Sequence, residues 1–181
     1  RGAAPINWAV INGETVTGVT TFFLDHDIDT GRIITQREFP IPDDADVEYV
    51  YDGLMHLGAE ICKDTVDMVL TTDGNVPSQP QDDTKELHHA PKIFKETCEI
   101  KWDSNAKQIY DFVRGLSPYP GVWTTLAPID VADGAASVLK VYGTAKTEQS
   151  CGQAAPGTLR TEHGRLFVAT ADKWLEITQL Q

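Results

Sequence analysis

The sequence predicts an α/β unit followed by a mainly β, barrel-like unit, and three observations carry that reading. The first 75 residues mix helical and strand patterns, among them one long amphipathic stretch. Residues 71–92, TTDGNVPSQPQDDTKELHHAPK, lose all apolar periodicity and concentrate Pro, Gly, Asp and Gln. Beyond them, short β-type segments succeed one another at regular intervals with turn signals between. The boundaries read as 1–75 for the first unit, 76–96 for a linker and 97–181 for the second.

Charge supports the division. Residues 1–90 hold five Lys and Arg against seventeen Asp and Glu, whereas residues 91–181 hold ten of each, so the net charge of −12 sits in the first half. An anionic partner is repelled by the first unit and tolerated by the second. Cys62, Cys98 and Cys151 are widely spaced and form no C-x-x-C pair. That pattern speaks against a disulfide framework or a zinc site and for a reducing, cytoplasmic compartment. No apolar run approaches the roughly 18 residues of a membrane span, so no membrane partner is expected.

In chain order, APINWAVING reads as a short helix, with Pro5 in its first turn and Asn12-Gly13 ending it. ETVTGVTTFFL is strand-like, and GRIITQREFPI is a second strand closed by Pro40 and Pro42. Ala45 to Thr72 is the clearest helix. Val47, Val50, Tyr51, Leu54, Leu57, Ile61, Thr65, Met68 and Val69 recur at three- and four-residue steps, with Asp43 and Asp44 placed at the positive end of its dipole. After the polar stretch, Ser104 is the expected cap of a helix whose apolar face is Ile109, Phe112, Val113 and Leu116. Five β segments follow: VWTTLAP, ASVLKVYGTAK, GTLRTEH, RLFVATAD and KWLEITQLQ. Asp133-Gly134, Pro156-Gly157, His163-Gly164 and Asp172-Lys173 separate the later ones.

The stretch FFLDHDIDTGRII, residues 22–34, carries most of the chemistry. Asp25, Asp27 and Asp29 fall at every second position, which on an extended chain crowds three carboxylates along one edge. Asp29-Thr30-Gly31 is also a turn signature, so it reads either as a plain turn between strands or as a strand-end loop presenting carboxylates to a site. The spacing lacks the Gly and the further oxygen ligands of a Ca²⁺ loop, so no metal is expected. His26 and the pair His88-His89 read as surface residues. Trp102, Tyr119, Trp123 and Trp174 read as barrel core, although small barrels also stack bases on such aromatics. No phosphate-binding glycine loop and no nucleophile elbow is present.

These motifs together resemble the methionyl-tRNA formyltransferase family. That family shows an R-G-A-A-P-I segment, a G-(D/E)-x-x-T-G-V-T strand and a D-T-G loop; here they are residues 1–6, Glu14 with Thr17 to Thr20, and Asp25 with Asp29 to Gly31. Ala90, Lys92, IKWD at 100–103, RGLSPYPGVWT at 114–124 and AAPGTL at 154–159 continue the match. The resemblance implies a Rossmann-like formyltransferase domain, of which residues 1–75 are the last part, followed by an OB-like barrel. It implies formyl transfer from 10-formyltetrahydrofolate, the co-substrate, to the amino group of methionyl initiator tRNA. Asp29 takes the place of the loop's catalytic Asp, and Asp25, Asp27 and Ile28 line the folate pocket. The family's catalytic Asn and His belong to an H-x-S-L-L-P motif expected just upstream of Arg1. The chain is therefore expected to be an internal piece, inactive alone and a monomer. One departure is Asp27, where many members have Gly.

Relatives acting on amino sugars, or hydrolysing formyltetrahydrofolate, share forms of GLSPYPGVWT, and an RNA-binding module with a vestigial catalytic half is a reading of another class. If tRNA docks, the candidate phosphate contacts are Lys92, Lys101, Lys140, Lys146, Arg160 and Arg165.

Overall fold

Pro5 opens the first helix, α1 (Pro5–Ile11), at a position where its missing N–H costs nothing, and Gly13 at φ +71° turns the chain out of it. The computed structural model describes residues 2–82, 88–127 and 136–181. Strands β1 (Val16–Phe22) and β2 (Ile33–Pro40) pair antiparallel, from Val16 opposite Pro40 to Phe22 opposite Ile33. Helix α2 (Val47–Thr71) packs across this pair. Gly53 permits the close approach: a Cβ there would lie 2.0 Å from the Phe39 ring.

Two details of α2 differ from the sequence reading. Its cap is Asp46, which accepts from the Tyr49 N–H at 2.9 Å, and the acid in its first turn is Glu48; Asp43 and Asp44 lie outside it. Of the expected apolar face, Val47, Val50, Leu54 and Ile61 are buried, while Tyr51 and Val69 are exposed. A two-stranded sheet is too narrow to cover a helix of 25 residues.

A 3-10 turn (Lys95–Cys98), which has no apolar period to announce it, leads into the second unit. Helix α3 (Ala106–Leu116) is capped by Asn105 in place of Ser104. Asn105 accepts from the Gln108 N–H at 2.8 Å, and the Gln108 side chain accepts from the Asn105 N–H at 3.2 Å. That reciprocal capping box satisfies two otherwise orphaned donors, which a lone serine cannot do. The strands β3 (Val122–Leu126), β4 (Ser137–Ser150), β5 (Leu159–Glu162), β6 (Arg165–Ala169) and β7 (Lys173–Leu180) occupy the five expected segments. They form one antiparallel sheet in the order β3-β4-β7-β6-β5. His163 and Gly164, both at positive φ, make the two-residue turn of the β5–β6 hairpin. The Asp133-Gly134 turn lies outside the described residues.

Of a closed or partly closed barrel, closure is not found: among the described residues, the edge strands β3 and β5 do not pair with each other. Counting strands and turns reports how many strands there are, but not whether the two edges meet.

The cores explain how the units sit together. Val10, Ile41, Val50 and Leu54 form one core, and Ile109, Val113, Leu116, Val122, Val141, Leu175 and Ile177 are central to the larger one. Helix α1 serves both, because Val10 points into the first while Ile11 packs against the second. Gly115 makes room for this: a Cβ there would lie 2.6 Å from the Ile11 side chain. The Asn7 side-chain amide donates to the Gly115 carbonyl at 2.9 Å across the same contact. Among the described residues no helix is long and apolar enough to cross a membrane.

Candidate functional site

Residues 23–32 leave the β1–β2 ladder as a loop whose base is closed by the Phe23 N–H donating to the Arg32 carbonyl at 2.9 Å. The single-edge arrangement of Asp25, Asp27 and Asp29 is thereby corrected, since β1 stops at Phe22 and the aspartates follow in irregular chain, a bend and a turn. Alternation reads as a strand only while a ladder holds the chain extended, and here the ladder has ended. Asp29 has φ 61°, a left-handed conformation in which aspartate is among the better-tolerated residues. Thr30 donates its hydroxyl to the Asp27 carbonyl at 3.0 Å, and the Asp25 carboxylate accepts from the His26 N–H at 2.7 Å. Gly31 is obligatory. A Cβ there would sit 1.5 Å from the Phe23 carbonyl oxygen, which is backbone and cannot swing away.

The side chains of this loop face outward. Leu24 is 92% and Ile28 89% exposed, and among the described residues neither the Asp27 nor the Asp29 carboxylate has a hydrogen-bond or ion-pair partner. His26, His88 and His89 are exposed, as expected, and His88 faces Glu14 at 3.3 Å.

The loop's backbone, in contrast, is tied down by the stretch expected to be a linker. Ile33 and Gln79 exchange backbone hydrogen bonds of 2.8 and 2.9 Å, so this stretch adds a short bridge beside β2. Arg32 reaches across with two donors, to the Ser78 hydroxyl at 3.0 Å and the Ser78 carbonyl at 2.6 Å. In return the Gln81 side-chain amide donates to the Asp29 and Gly31 carbonyls, both at 2.8 Å. Further along, Ala90 accepts from the Ala4 N–H at 3.2 Å, and Pro91 accepts from the Trp8 indole at 2.9 Å. Sequence reasoning missed Ser78, Gln79 and Gln81, because a PSQPQ run carries no periodicity and its partners lie about fifty positions earlier.

The six candidate cations are dispersed. Lys92 lies over the Phe94 ring, and Lys101 bonds Glu99 at 3.0 Å on the rim of a cleft of about 850 Å³ that Lys107 and His88 also line. Lys140 is exposed on β4. The other three are paired with acids: Lys146 bonds Asp43, Arg160 meets Glu162 at 3.4 Å while stacking on Trp174 at 4.3 Å, and Arg165 forms a two-point pair with Glu176. Of the four aromatics, Trp174 is buried, Trp102 and Trp123 are partly buried with their indole N–H groups bonded, and Tyr119 is 82% exposed, which corrects its assignment to the core.

A second polar cluster joins the two units. Asp111 and Arg114, 3% and 7% exposed, bond at 2.8 Å, and Arg114 also donates to the Ala45 carbonyl at 2.7 Å. Lys107 bonds Asp111, the Tyr110 hydroxyl donates to the Asp43 carbonyl at 3.0 Å, and Lys146 lies over the Tyr110 ring while bonding Asp43. The Lys146 hydrogen bond holds the Asp43 carboxyl below its ordinary range, and burial raises the Tyr110 phenol.

Comparison with known proteins adds to this geometry. The model of the formyl transferase domain matches residues 1–66, and that of the formyl transferase C-terminal domain matches residues 92–181. Methionyl-tRNA formyltransferases of Phocaeicola vulgatus and Parabacteroides distasonis are 52% and 51% identical over 100% of this chain; it spans 56% of the length of each. Among solved structures, an N-formyltransferase from Helicobacter canadensis, in complex with folinic acid and dTDP-3-aminofucose, superposes with a TM-score of 0.74 at 17% identity. That likeness covers 100% of this chain and 62% of the other.

Proposed function

The chain belongs to the formyl transferase family, and from that premise we propose that the protein transfers a formyl group from 10-formyltetrahydrofolate to the amino group of methionyl initiator tRNA. The observation that carries the proposal is 52% identity to a methionyl-tRNA formyltransferase along the whole chain. The Helicobacter canadensis enzyme supports the fold alone, at 17% identity. An amino-sugar substrate therefore gains nothing from it.

Asp29 is the catalytic carboxylate in this reading. Its backbone is anchored while its carboxylate is unspent, which suits a group that must hold a proton-carrying imidazole in one orientation during transfer. The exposed Ile28 side chain offers an apolar surface to a flat heterocycle, and the Asp25 and Asp27 carboxylates are acceptors for its N–H donors. Lys92 in the linker and Lys101 and Lys140 on the second unit are the phosphate contacts in this reading, with Lys146, Arg160 and Arg165 already paired with acids of the chain. The division into residues 1–75, 76–96 and 97–181 belongs to the same proposal. So does a Rossmann-like parentage of the first unit. The sheet is read as OB-like, since the register shifts along the 14-residue β4 curve it. A cytoplasmic monomer is the expected form.

The test is formylation of methionyl initiator tRNA by the full-length protein and by its Asp29→Asn variant. Wild-type transfer that falls by at least about 100-fold in the variant supports the reading. Transfer to a nucleotide-linked amino sugar but not to methionyl-tRNA overturns the substrate, and a variant within threefold of wild type overturns the role of Asp29.

A further inference from the structure

We infer that Gln81 is a positioning residue for the Asp29 loop: its side-chain amide fixes the backbone that aims the Asp29 carboxylate. The inference deepens the proposed function and rests on Asp29 being catalytic. Three observations carry it. The loop is ten residues long and exposes its side chains, so it gains little from apolar burial. Asp29 sits at φ 61°, a left-handed conformation that a non-glycine residue keeps where its surroundings determine it. The same amide nitrogen then bonds the carbonyls of Asp29 and Gly31, one on each side of Thr30, both at 2.8 Å.

Gln81 is itself held in place. The Ile33–Gln79 backbone exchange lies two residues before it, and the Arg32 guanidinium grips Ser78 through two donors. Loop and strap are thus laced in both directions, by Arg32 reaching to the strap and by Gln81 reaching back. The chemistry requires an amide at this position. An amide nitrogen offers two N–H donors, one for each carbonyl, whereas a carboxylate offers none and would face both carbonyl oxygens with like partial charge. A glutamate of the same length is therefore the informative change.

The experiment uses the full-length protein with Gln81→Glu, Gln81→Ala and Gln81→Asn, and reads two quantities. Hydrogen exchange of the amides of residues 24–32 reports the brace without reference to activity, and kcat and KM for methionyl-tRNA report its use. Both Glu and Ala are expected to raise loop exchange at least about tenfold and to lower kcat about 10- to 100-fold, with KM for tRNA and the melting temperature little changed. Gln81→Asn keeps the donors on a shorter arm and is expected to recover part of the loss in kcat. Unchanged loop exchange in both Glu and Ala variants overturns the inference whatever the activity does. Raised exchange with unchanged kcat keeps the brace but removes its role in positioning. Failure of the underlying reading shows elsewhere, as full activity in Asp29→Asn.

Discussion

Two groups of aspartates in this chain are used in opposite ways. Where α3 meets the 42–45 segment ahead of α2, Asp111 and Asp43 spend their carboxylates on Arg114, Lys107 and Lys146. In the 23–32 loop the protein spends backbone carbonyls, those of Asp29 and Gly31, and leaves the Asp29 carboxylate without a partner among the described residues. A carboxylate that fixes structure is paired. One that is to act on something else is better held through its backbone, so that fixing it in place does not use up its charge. The comparison can be broken at either end.

The largest effect is expected at the junction. Arg114→Ala removes the main partner of a buried carboxylate and two bonds to the Pro42 and Ala45 carbonyls. Breaking one side of a buried pair generally costs about 3–5 kcal/mol. Lys107 still reaches Asp111, so the loss should fall near the lower end, measured by urea denaturation of the full-length protein. A cost under about 1 kcal/mol would mean the junction is not held by this pair. Next comes Gly31→Ala, which forces a Cβ into the Phe23 carbonyl. Overpacking of this kind costs about 1–3 kcal/mol, and the loop should answer by opening at the Phe23–Arg32 bond. Formyl transfer should then fall more than stability does. Equal losses in both would place the damage in the fold as a whole.

Much of the fold was legible in the sequence, this contrast was not, and the illegible part has one physical cause. The helices α2 and α3 announce themselves through apolar spacing, and α1, β1, β2 and the five later strands through composition and turn residues, signals that depend only on neighbouring residues. The D-T-G loop announced itself through turn chemistry at Asp29, Thr30 and Gly31. Local rules could not see partners distant in the chain. Gln81 to Asp29 spans 52 positions, and Arg114 to Ala45 spans 69. The same blindness left the edges of the β3-to-β5 sheet undetermined and hid the bonds by which residues 78–81 hold the backbone of residues 29–33. It also hid the acidic partners of Lys146 and Arg165, which each meets only in three dimensions.

A further aspartate sharpens the rule. Asp172, in the β6–β7 turn, accepts from the Ala106 N–H at 2.8 Å at the start of α3 and from its neighbour Lys173 at 2.9 Å. The Ala106 bond, opposed by partial burial, holds its carboxyl below the ordinary range. A depressed folded-state value contributes stability that is present above the unfolded aspartate value and is lost as pH falls through the folded one. Asp172→Ala should therefore cost about 1 kcal/mol at neutral pH, the usual worth of a cap, and the gap from wild type should close in the acid range below about pH 4. A gap that stays constant down to pH 2 would show that the charge plays no part.

The smallest effect tests the same rule on the cations. If a paired charge is a spent charge, only the uncommitted lysines should release counterions when tRNA binds. Each lost phosphate contact lowers the slope of log K against log salt by roughly 0.7–0.9. Lys92→Gln and Lys140→Gln are expected to show that change, and Lys101→Gln a smaller one, because Glu99 already neutralises part of its charge. Lys146→Gln should leave the slope unaltered, and Arg165→Gln likewise, since the first serves the junction with Asp43 and the second its pair with Glu176. The measurement is tRNA affinity across a salt series for each variant. A slope that moves for Arg165 but not for Lys92 would mean that internal pairing does not predict which charges meet the phosphates. The rule drawn from the aspartates would then stop at the carboxylates.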